Sequence, residues 1–152
     1  MFKKLMAALT LGLSFLLIGC SSIPMETAQR DHELKRFPKP PEGKAAVYIY
    51  RDSFAGQALR KKLTIDGEVI GKSANKVFFY QVISPGQHRI TTESEFGDNE
   101  LILDASAGVN YFVRQYMKIG VFVSGSALEL MDTREGKYAI FKTKLAKSLN
   151  SK

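Results

Sequence analysis

Short strand-like segments separated by turns containing glycine or proline constrain the fold of this chain more than any other feature. Residues 45–50 are apolar and end in β-branched and aromatic side chains, and residues 62–66 alternate polar and apolar side chains. Asp66-Gly67 is a strong hairpin signal, and Pro85-Gly86 suits a type II turn. Such a pattern is typical of a β-sandwich or a small barrel, and we predict a mainly β, antiparallel, immunoglobulin-like β-sandwich.

The C-terminal residues change to a helical period. Asp132, followed by Glu135 three residues later, resembles a helix-capping box. The apolar residues that follow at helical spacing are Tyr138, Phe141, Leu145 and Leu149. We therefore predict one C-terminal amphipathic helix that lies on a face or edge of the sheet.

Composition and motifs exclude several classes of function. The 152 residues include one Cys and two His, which rules out an intramolecular disulfide framework and a Cys-rich zinc site. The sequence has no Gly-x-Ser-x-Gly elbow, phosphate loop or His-Glu-x-x-His motif. We expect a protein that is not an enzyme and that binds no metal and no cofactor.

Two polar features have structural explanations that we favour over chemical ones. His88 has the strand parity of Ile90, which favours a packed or edge histidine over a general base. Acidic residues around Gly97 offer oxygen ligands for Ca²⁺, but their spacing fits no known loop, so we favour a solvated hairpin tip. These residues are Glu93, Glu95, Asp98, Asn99 and Glu100.

The first twenty residues differ from all the others. Lys3 and Lys4 precede an uncharged apolar run over residues 5–19, and Cys20 ends the run. A transmembrane helix needs about 20 apolar residues, more than this run supplies, whereas a secretory signal has this layout. We therefore predict a signal peptide over residues 1–19.

The end of this run carries a more specific pattern. Leu17-Ile18-Gly19-Cys20 resembles the lipobox of bacterial lipoproteins, although Ala or Ser is commoner than Ile at the second place. In that family the Cys thiol takes a diacylglyceryl group, and cleavage frees its amine for a further fatty acyl chain. The resemblance implies lipidation at Cys20 and a lipid-anchored protein in the cell membrane. Lipoproteins that are retained at the inner membrane often have an Asp directly after the Cys, whereas this chain has Ser21 and Ser22. The resemblance therefore implies that the protein lies on the periplasmic face of the outer membrane.

The body of the chain carries two further resemblances. The Asp66-Gly67 hairpin, followed by the Pro85-Gly86 turn and residues 88–90, is similar to the PEGA-type β-sandwich repeat. More widely, the chain resembles a bacterial envelope lipoprotein family known only as a domain of unknown function. The segments that carry this wider resemblance are residues 47–51, the two turns, residues 110–114 and residues 128–132. The resemblance implies a fold and no established activity.

A segment rich in proline and charge separates the predicted anchor from the strands. Its prolines are Pro24, Pro38, Pro40 and Pro41. A short helix over residues 26–36 would have too few apolar residues to dock firmly. We predict a lipidated, flexible tether over residues 20–42, followed by a β-sandwich domain with its helix over residues 43–149.

Basic and aromatic residues supply candidate binding surfaces. The net charge is +7, with a local run at residues 60–62, which we interpret as a soluble basic surface, with anionic headgroups or envelope glycans as the alternative ligands. Export argues against nucleic acid. Phe112, Arg114 and Tyr116 share one strand face, where such side chains stack on sugars or peptides or only pair with neighbouring strands.

Two further candidates come from unusual positions. Val121, Phe122 and Val123 lie between two glycines, either as an exposed tip for a partner or membrane or with Phe122 folded back onto the core. Arg51 has inward parity at a strand end and needs an acid or a backbone carbonyl as its partner, and Glu129 is a candidate for a structural ion pair.

These features together predict a membrane-anchored, non-enzymatic lipoprotein that binds a protein or glycan partner in the cell envelope. A cell-wall hydrolase is one alternative, and it would require carboxylates or a histidine in a cleft. A structural or assembly factor of the envelope is the other.

Overall fold

The computed structural model describes residues 22–54, 56–94, 99–119 and 124–150. These residues form a mainly β fold of nine strands and two short helices. The helices are α1 (Ala28–Leu34) and α2 (Thr133–Phe141). The strands are β1 (Ala45–Arg51), β2 (Lys61–Ile65), β3 (Glu68–Ser73), β4 (Val77–Ile83), β5 (Gly86–Thr92), β6 (Asn99–Ala105), β7 (Asn110–Ile119), β8 (Ser124–Met131) and β9 (Lys144–Leu145).

The strands form two packed sheets, which confirms the predicted β-sandwich. One sheet has the order β8-β7-β1-β4-β9 and the other the order β3-β2-β5-β6. The purely antiparallel arrangement is wrong for the five-stranded sheet, where β7 runs parallel to β1 and β9 runs parallel to β4. The reason lies in the connections, because the chain passes through the other sheet between β4 and β7 before it returns beside β1.

The central strand β1 is buried on both of its faces. Val47 and Ile49 pack between the two sheets. Tyr48 and Tyr50 point to the other face, where α1 and α2 cover the five-stranded sheet. Since both faces are covered, β1 shows a continuous run of buried residues instead of an alternating pattern.

The Asp66-Gly67 hairpin is confirmed. Both residues have left-handed backbone conformations, with φ of 52° at Asp66 and 84° at Gly67, as a tight two-residue hairpin between β2 and β3 requires. The Pro85-Gly86 turn is not a hairpin between paired strands, because it connects β4 in one sheet to β5 in the other.

The C-terminal helix is confirmed, but its predicted apolar face is wrong. The Asp132 side chain caps α2 by accepting the amides of Arg134 and Glu135. Tyr138 and Phe141 are 64% and 60% exposed. The buried helix residues are Gly136, Ala139 and Ile140. Gly136 lets the helix approach Phe112 closely, and after Phe141 the chain extends into β9 rather than continuing as a helix.

The prediction of a flexible tether is wrong for its described part, residues 22–42. Leu34 of α1 is 2% exposed in the cluster on the helix-covered face of the five-stranded sheet. The Phe37 ring lies 5.6 Å from the Tyr48 ring and 5.7 Å from the Phe112 ring, edge to face in both cases. Two apolar residues therefore dock a segment whose composition is mostly polar.

Candidate functional site

The first described residues are hydrogen-bonded to the C-terminal tail. The Glu26 amide donates to the Leu145 carbonyl at 3.0 Å, and the Lys147 amide donates to the Pro24 carbonyl at 2.8 Å. Leu145 belongs to β9, which pairs with β4 at the edge of the five-stranded sheet. The chain is thus fixed to this sheet edge from Pro24 onward.

A pocket of about 390 Å³ lies beside this N-terminal segment. On its floor Gly71 of β3 meets Phe79 of β4, so closely that a Cβ on Gly71 would lie 2.5 Å from Cε1 of Phe79. Ile23 and Leu149 add apolar surface to the pocket wall. The absence of a side chain at Gly71 therefore allows the two sheets to meet here.

Three basic side chains line the same pocket, which we call the basic pocket: Arg60, Lys72 and Lys147. All three residues are exposed, and no carboxylate belongs to the described residues that line the pocket. Arg60 donates from Nη1 to the Gln57 carbonyl at a long 3.4 Å. The pocket thus presents positive charge that no side chain among its described lining residues offsets.

Several predicted site residues lie outside the described residues. They are the lipidation candidate Cys20 and the candidate contact residues Val121, Phe122 and Val123. Of the acidic cluster, Glu95 and Asp98 also lie outside the described residues.

The proposed partner-binding face of β7 is largely covered. Phe112 is 1% exposed because α2 packs over it, so its assignment as a partner contact is wrong. Tyr116 is partly buried. Arg114 keeps 35% of its side chain exposed and sits in an ion-pair network.

The Arg114 guanidinium binds two carboxylates. Its Nε lies 3.0 Å from Asp52 Oδ1, and its Nη1 lies 3.3 Å from Glu129 Oε1. Burial alone would lower the pKa of Arg114, but the two carboxylates raise it. A pocket of about 280 Å³ lies here, with the exposed Tyr138 ring at its side, and we call it the Arg114 pocket.

The predicted ion pair between Arg51 and Glu129 is wrong. The strand register places Glu129 opposite Arg114, and Arg114 lies beside Tyr50 on the helix-covered face of the sheet. Arg51 has the opposite parity and points between the sheets. Successive residues of a strand face opposite sides, so the two side chains are separated by the sheet itself.

Arg51 is inward-facing, as its parity predicts, but it holds a loop instead of an acid. It is fully buried, and its guanidinium donates to the carbonyls of Leu59 at 2.8 Å and of Gly56. Burial, and then repulsion from Arg60, lower the pKa of Arg51. The arginine therefore ties the connection between β1 and β2 to the end of the sandwich.

His88 is held by two acceptors. Its Nδ1 lies 2.6 Å from Asp66 Oδ2, and its Nε2 lies 2.7 Å from the Ser84 carbonyl. Burial works to lower the pKa of His88, but these two hydrogen bonds raise it overall. The imidazole thus connects the Asp66-Gly67 hairpin to the turn that begins at Ser84, in agreement with a structural role.

The remaining polar groups form no recognisable catalytic centre in the described part of the chain. No three His, Cys, Asp or Glu side chains there lie close enough together to hold a metal ion. Glu93 accepts the Lys62 amide at 3.2 Å, and Glu100 lies 3.5 Å from Arg89. None of the helices among these residues is long and apolar enough to span a membrane.

Sequence reasoning found part of the basic pocket. Arg60 stands in the basic run and Lys72 follows the Asp66-Gly67 hairpin, but nothing local shows that they meet. Lys147 was missed, because helical spacing assigns it to the polar side of a helix that in fact ends at Phe141. Only the pairing of the tail with the N-terminal segment brings Lys147 to this pocket.

Comparisons with known proteins identify relatives without an assigned activity. A family model described as "Protein of unknown function (DUF2846)" matches residues 41–126. An uncharacterized protein of Haemophilus influenzae is 47% identical over 147 residues, which cover 96% of this chain and 88% of that protein. No solved structure matches the chain.

Proposed function

Because the chain belongs to the DUF2846 family of proteins of unknown function, we propose its function from its own residues: a lipoprotein anchored in the cell envelope through Cys20. One observation carries the anchor, namely Leu17-Ile18-Gly19-Cys20 at the end of an uncharged run that two lysines precede. By the same resemblance the protein sits on the periplasmic face of the outer membrane. Several acyl chains on one residue would make the attachment stable, whereas a single chain binds a membrane only reversibly.

The PEGA-type resemblance is also part of the proposal. The Asp66-Gly67 hairpin joins β2 to β3, and the Pro85-Gly86 turn leads into β5, which pairs with β2. The two turn signals thus frame three neighbouring strands of one sheet. This arrangement supports a repeat-like unit inside the sandwich.

Labelling with a radioactive fatty acid tests the anchor. Cys20→Ala should abolish incorporation of label and leave an uncleaved precursor, because no thiol remains to be acylated. Ser22→Ala is the matched control and should label as the natural chain does. A Cys20→Ala protein that still carries label and partitions into detergent would refute the anchor.

We further propose that the anchored domain is not an enzyme and binds a protein or glycan partner at the Arg114 pocket. Tyr138 supports this site, since the residue is 64% exposed beside Arg114 and its carboxylate partners, and exposed aromatic residues near charged groups suit a binding surface. The Lys142 ammonium lies 3.8 Å from the centre of the same ring and adds positive charge to the rim.

Photo-crosslinking in living cells tests the partner site. A crosslinking residue at position 138 should yield a discrete protein or glycan adduct. Ile102 is the control position, because it is 46% exposed on β6 of the other sheet. Equal recovery from both positions would contradict the Arg114 pocket as a binding site. Release of soluble fragments from purified cell wall would instead support the alternative of a hydrolase.

A further inference from the structure

The basic pocket is the part of the molecule that the proposed function does not yet use. We infer that this pocket docks the domain onto the membrane surface by binding the phosphate groups of anionic phospholipid headgroups. The inference rests on the proposed lipid anchor at Cys20, which would bring the pocket to the membrane.

Charge is the first argument for a phosphate-bearing surface. Three basic side chains line one pocket. Arg60 directly precedes β2, Lys72 lies in β3, and Lys147 lies in the C-terminal tail. No carboxylate accompanies them among the described lining residues. Each basic side chain close to an anionic membrane strengthens binding about fivefold, so three together favour docking by about a hundredfold.

Distance from the anchor is the second argument. Ser22 lines the pocket and follows Cys20 by two positions. An extended chain advances at most about 3.6 Å per residue, so the lipidated residue is within about 7 Å of Ser22. Electrostatic attraction extends about 8 Å at physiological ionic strength, which places the pocket within range of the headgroups.

The fixed position of the N-terminal segment is the third argument. The hydrogen bonds of Pro24 and Glu26 to the tail hold this segment against the sheet edge. A long flexible tether would let any face of the domain turn to the membrane. A short, fixed connection instead selects the face that carries the basic pocket.

The apolar wall of the pocket favours a lipid surface over a glycan. Leu149 is 68% exposed at the pocket, beside Ile23, and such side chains gain from contact with acyl chains. The one aromatic residue among the described lining residues, Phe79, is 1% exposed and offers no ring face on which a sugar could stack.

Lysine labelling on vesicles tests the docked orientation. The lipoprotein is purified from membranes and placed in vesicles of phosphatidylcholine, with or without phosphatidylglycerol. An acylating reagent then modifies accessible amines, and peptide mass spectrometry gives the labelling rate at each lysine. Lys72 and Lys147 should react at least about fivefold more slowly on the anionic vesicles, and added NaCl should restore their rates.

Lys118 and the Arg134→Gln variant provide the controls, and the Arg60→Gln variant tests the pocket itself. Lys118 is exposed on β7 and is not one of the residues that line the pocket, so it should react equally on both kinds of vesicle. Arg60→Gln should speed the labelling of Lys72 and Lys147 about fivefold on anionic vesicles, since one of three charges is lost. Arg134→Gln removes an exposed arginine from α2 and should change neither rate.

The possible results separate the docking face from the anchor. Equal labelling of Lys72 and Lys147 on both kinds of vesicle, while the protein still floats with them, would overturn the docking face and leave the anchor intact. A protein that does not float with either vesicle would overturn both. Equal protection by inorganic phosphate in detergent would assign a small-anion site and would also overturn the lipid surface.

Discussion

The basic pocket and the Arg114 pocket lie near different edges of the five-stranded sheet and treat positive charge in different ways. At the Arg114 pocket one guanidinium binds two carboxylates, Asp52 in the pocket lining and Glu129 on the neighbouring strand β8. In the basic pocket Arg60, Lys72 and Lys147 meet without a lining carboxylate. In the first arrangement the positive charge is paired within the protein. In the second, no carboxylate among the described lining residues pairs with it.

This difference separates stability from binding. Ion pairs that a fold makes for itself contribute up to about 1 kcal/mol each when partly exposed. Like charges that converge without partners repel one another and contribute nothing to folding. The positive charge of the basic pocket is therefore available to an external anion, whereas the Arg114 pocket would persist without any ligand.

The largest expected effects come from two glycines, Gly71 in the lining of the basic pocket and Gly136 in α2. A Cβ on Gly136 would lie 2.9 Å from Cδ1 of Phe112 and closer still to Cβ and Cγ of that side chain, while a Cβ on Gly71 would overlap Phe79. We expect Gly136→Ala and Gly71→Ala each to lower the free energy of unfolding by about 1–3 kcal/mol, the usual cost of overpacking. Urea unfolding followed by circular dichroism measures both.

Gly136→Ala is the more informative of the two substitutions, because the expected loss of stability is opposite in sign to the effect of helix propensity. Alanine in place of glycine within a helix normally stabilises by about 1 kcal/mol. Gly125→Ala is the matched control, since a Cβ there would meet nothing closer than Ser94 Oγ at 3.4 Å. A stabilised Gly136→Ala protein would mean that α2 does not rest on Phe112, and the Arg114 pocket would lose its wall.

The next largest expected effect is the interaction energy between Arg114 and Glu129. A double-mutant cycle of Arg114→Met and Glu129→Gln should give an interaction energy of about 0.5–1 kcal/mol, because the two groups share a partly exposed ion pair. The same cycle for Arg51→Met and Glu129→Gln should be additive within about 0.5 kcal/mol, since the sheet separates them.

Lys72→Gln is the control from the other pocket. With no carboxylate lining the basic pocket, loss of this charge should leave the free energy of unfolding within about 0.5 kcal/mol. A larger loss would show that the basic pocket also satisfies its charge internally. That result would remove the contrast between the two pockets.

The sequence predicts those parts of this molecule that depend on local chemistry. Asp66-Gly67 locates a hairpin because the turn itself needs left-handed residues, and Asp132 locates a helix start because capping is local. The parity of Arg51 correctly places it inside, but its partners are the carbonyls of Leu59 and Gly56 in the connection after β1, a contact that no local pattern reveals. The docking of residues 22–42 depends on Leu34 and Phe37 meeting a distant sheet face. Lys147 reaches Arg60 only through tertiary pairing.

The last expected effect comes from an ion pair that pH can switch, between His88 and Asp66. Although burial opposes it, hydrogen bonding raises the pKa of His88 above its ordinary 6.5, so the native state holds this proton more tightly than the unfolded chain. Its stabilisation is complete below about pH 6.5 and declines as pH rises through the raised value. Asp66 behaves oppositely, because the Arg89 amide and His88 lower its pKa despite burial, so its contribution fades only in acid.

The pair should therefore stabilise most between about pH 4 and pH 6.5 and contribute up to about 1 kcal/mol there. The difference in unfolding free energy between the natural chain and His88→Gln should shrink from pH 5.5 to pH 8, as urea titrations at both values would measure. His32→Gln, which changes the exposed histidine of α1, controls for the loss of an imidazole elsewhere. A difference for His88→Gln that grows toward pH 8 would mean that the neutral ring is the form the fold prefers. Paired charge would then not be what stabilises this turn, and the contrast between internally and externally satisfied charge would need a different basis.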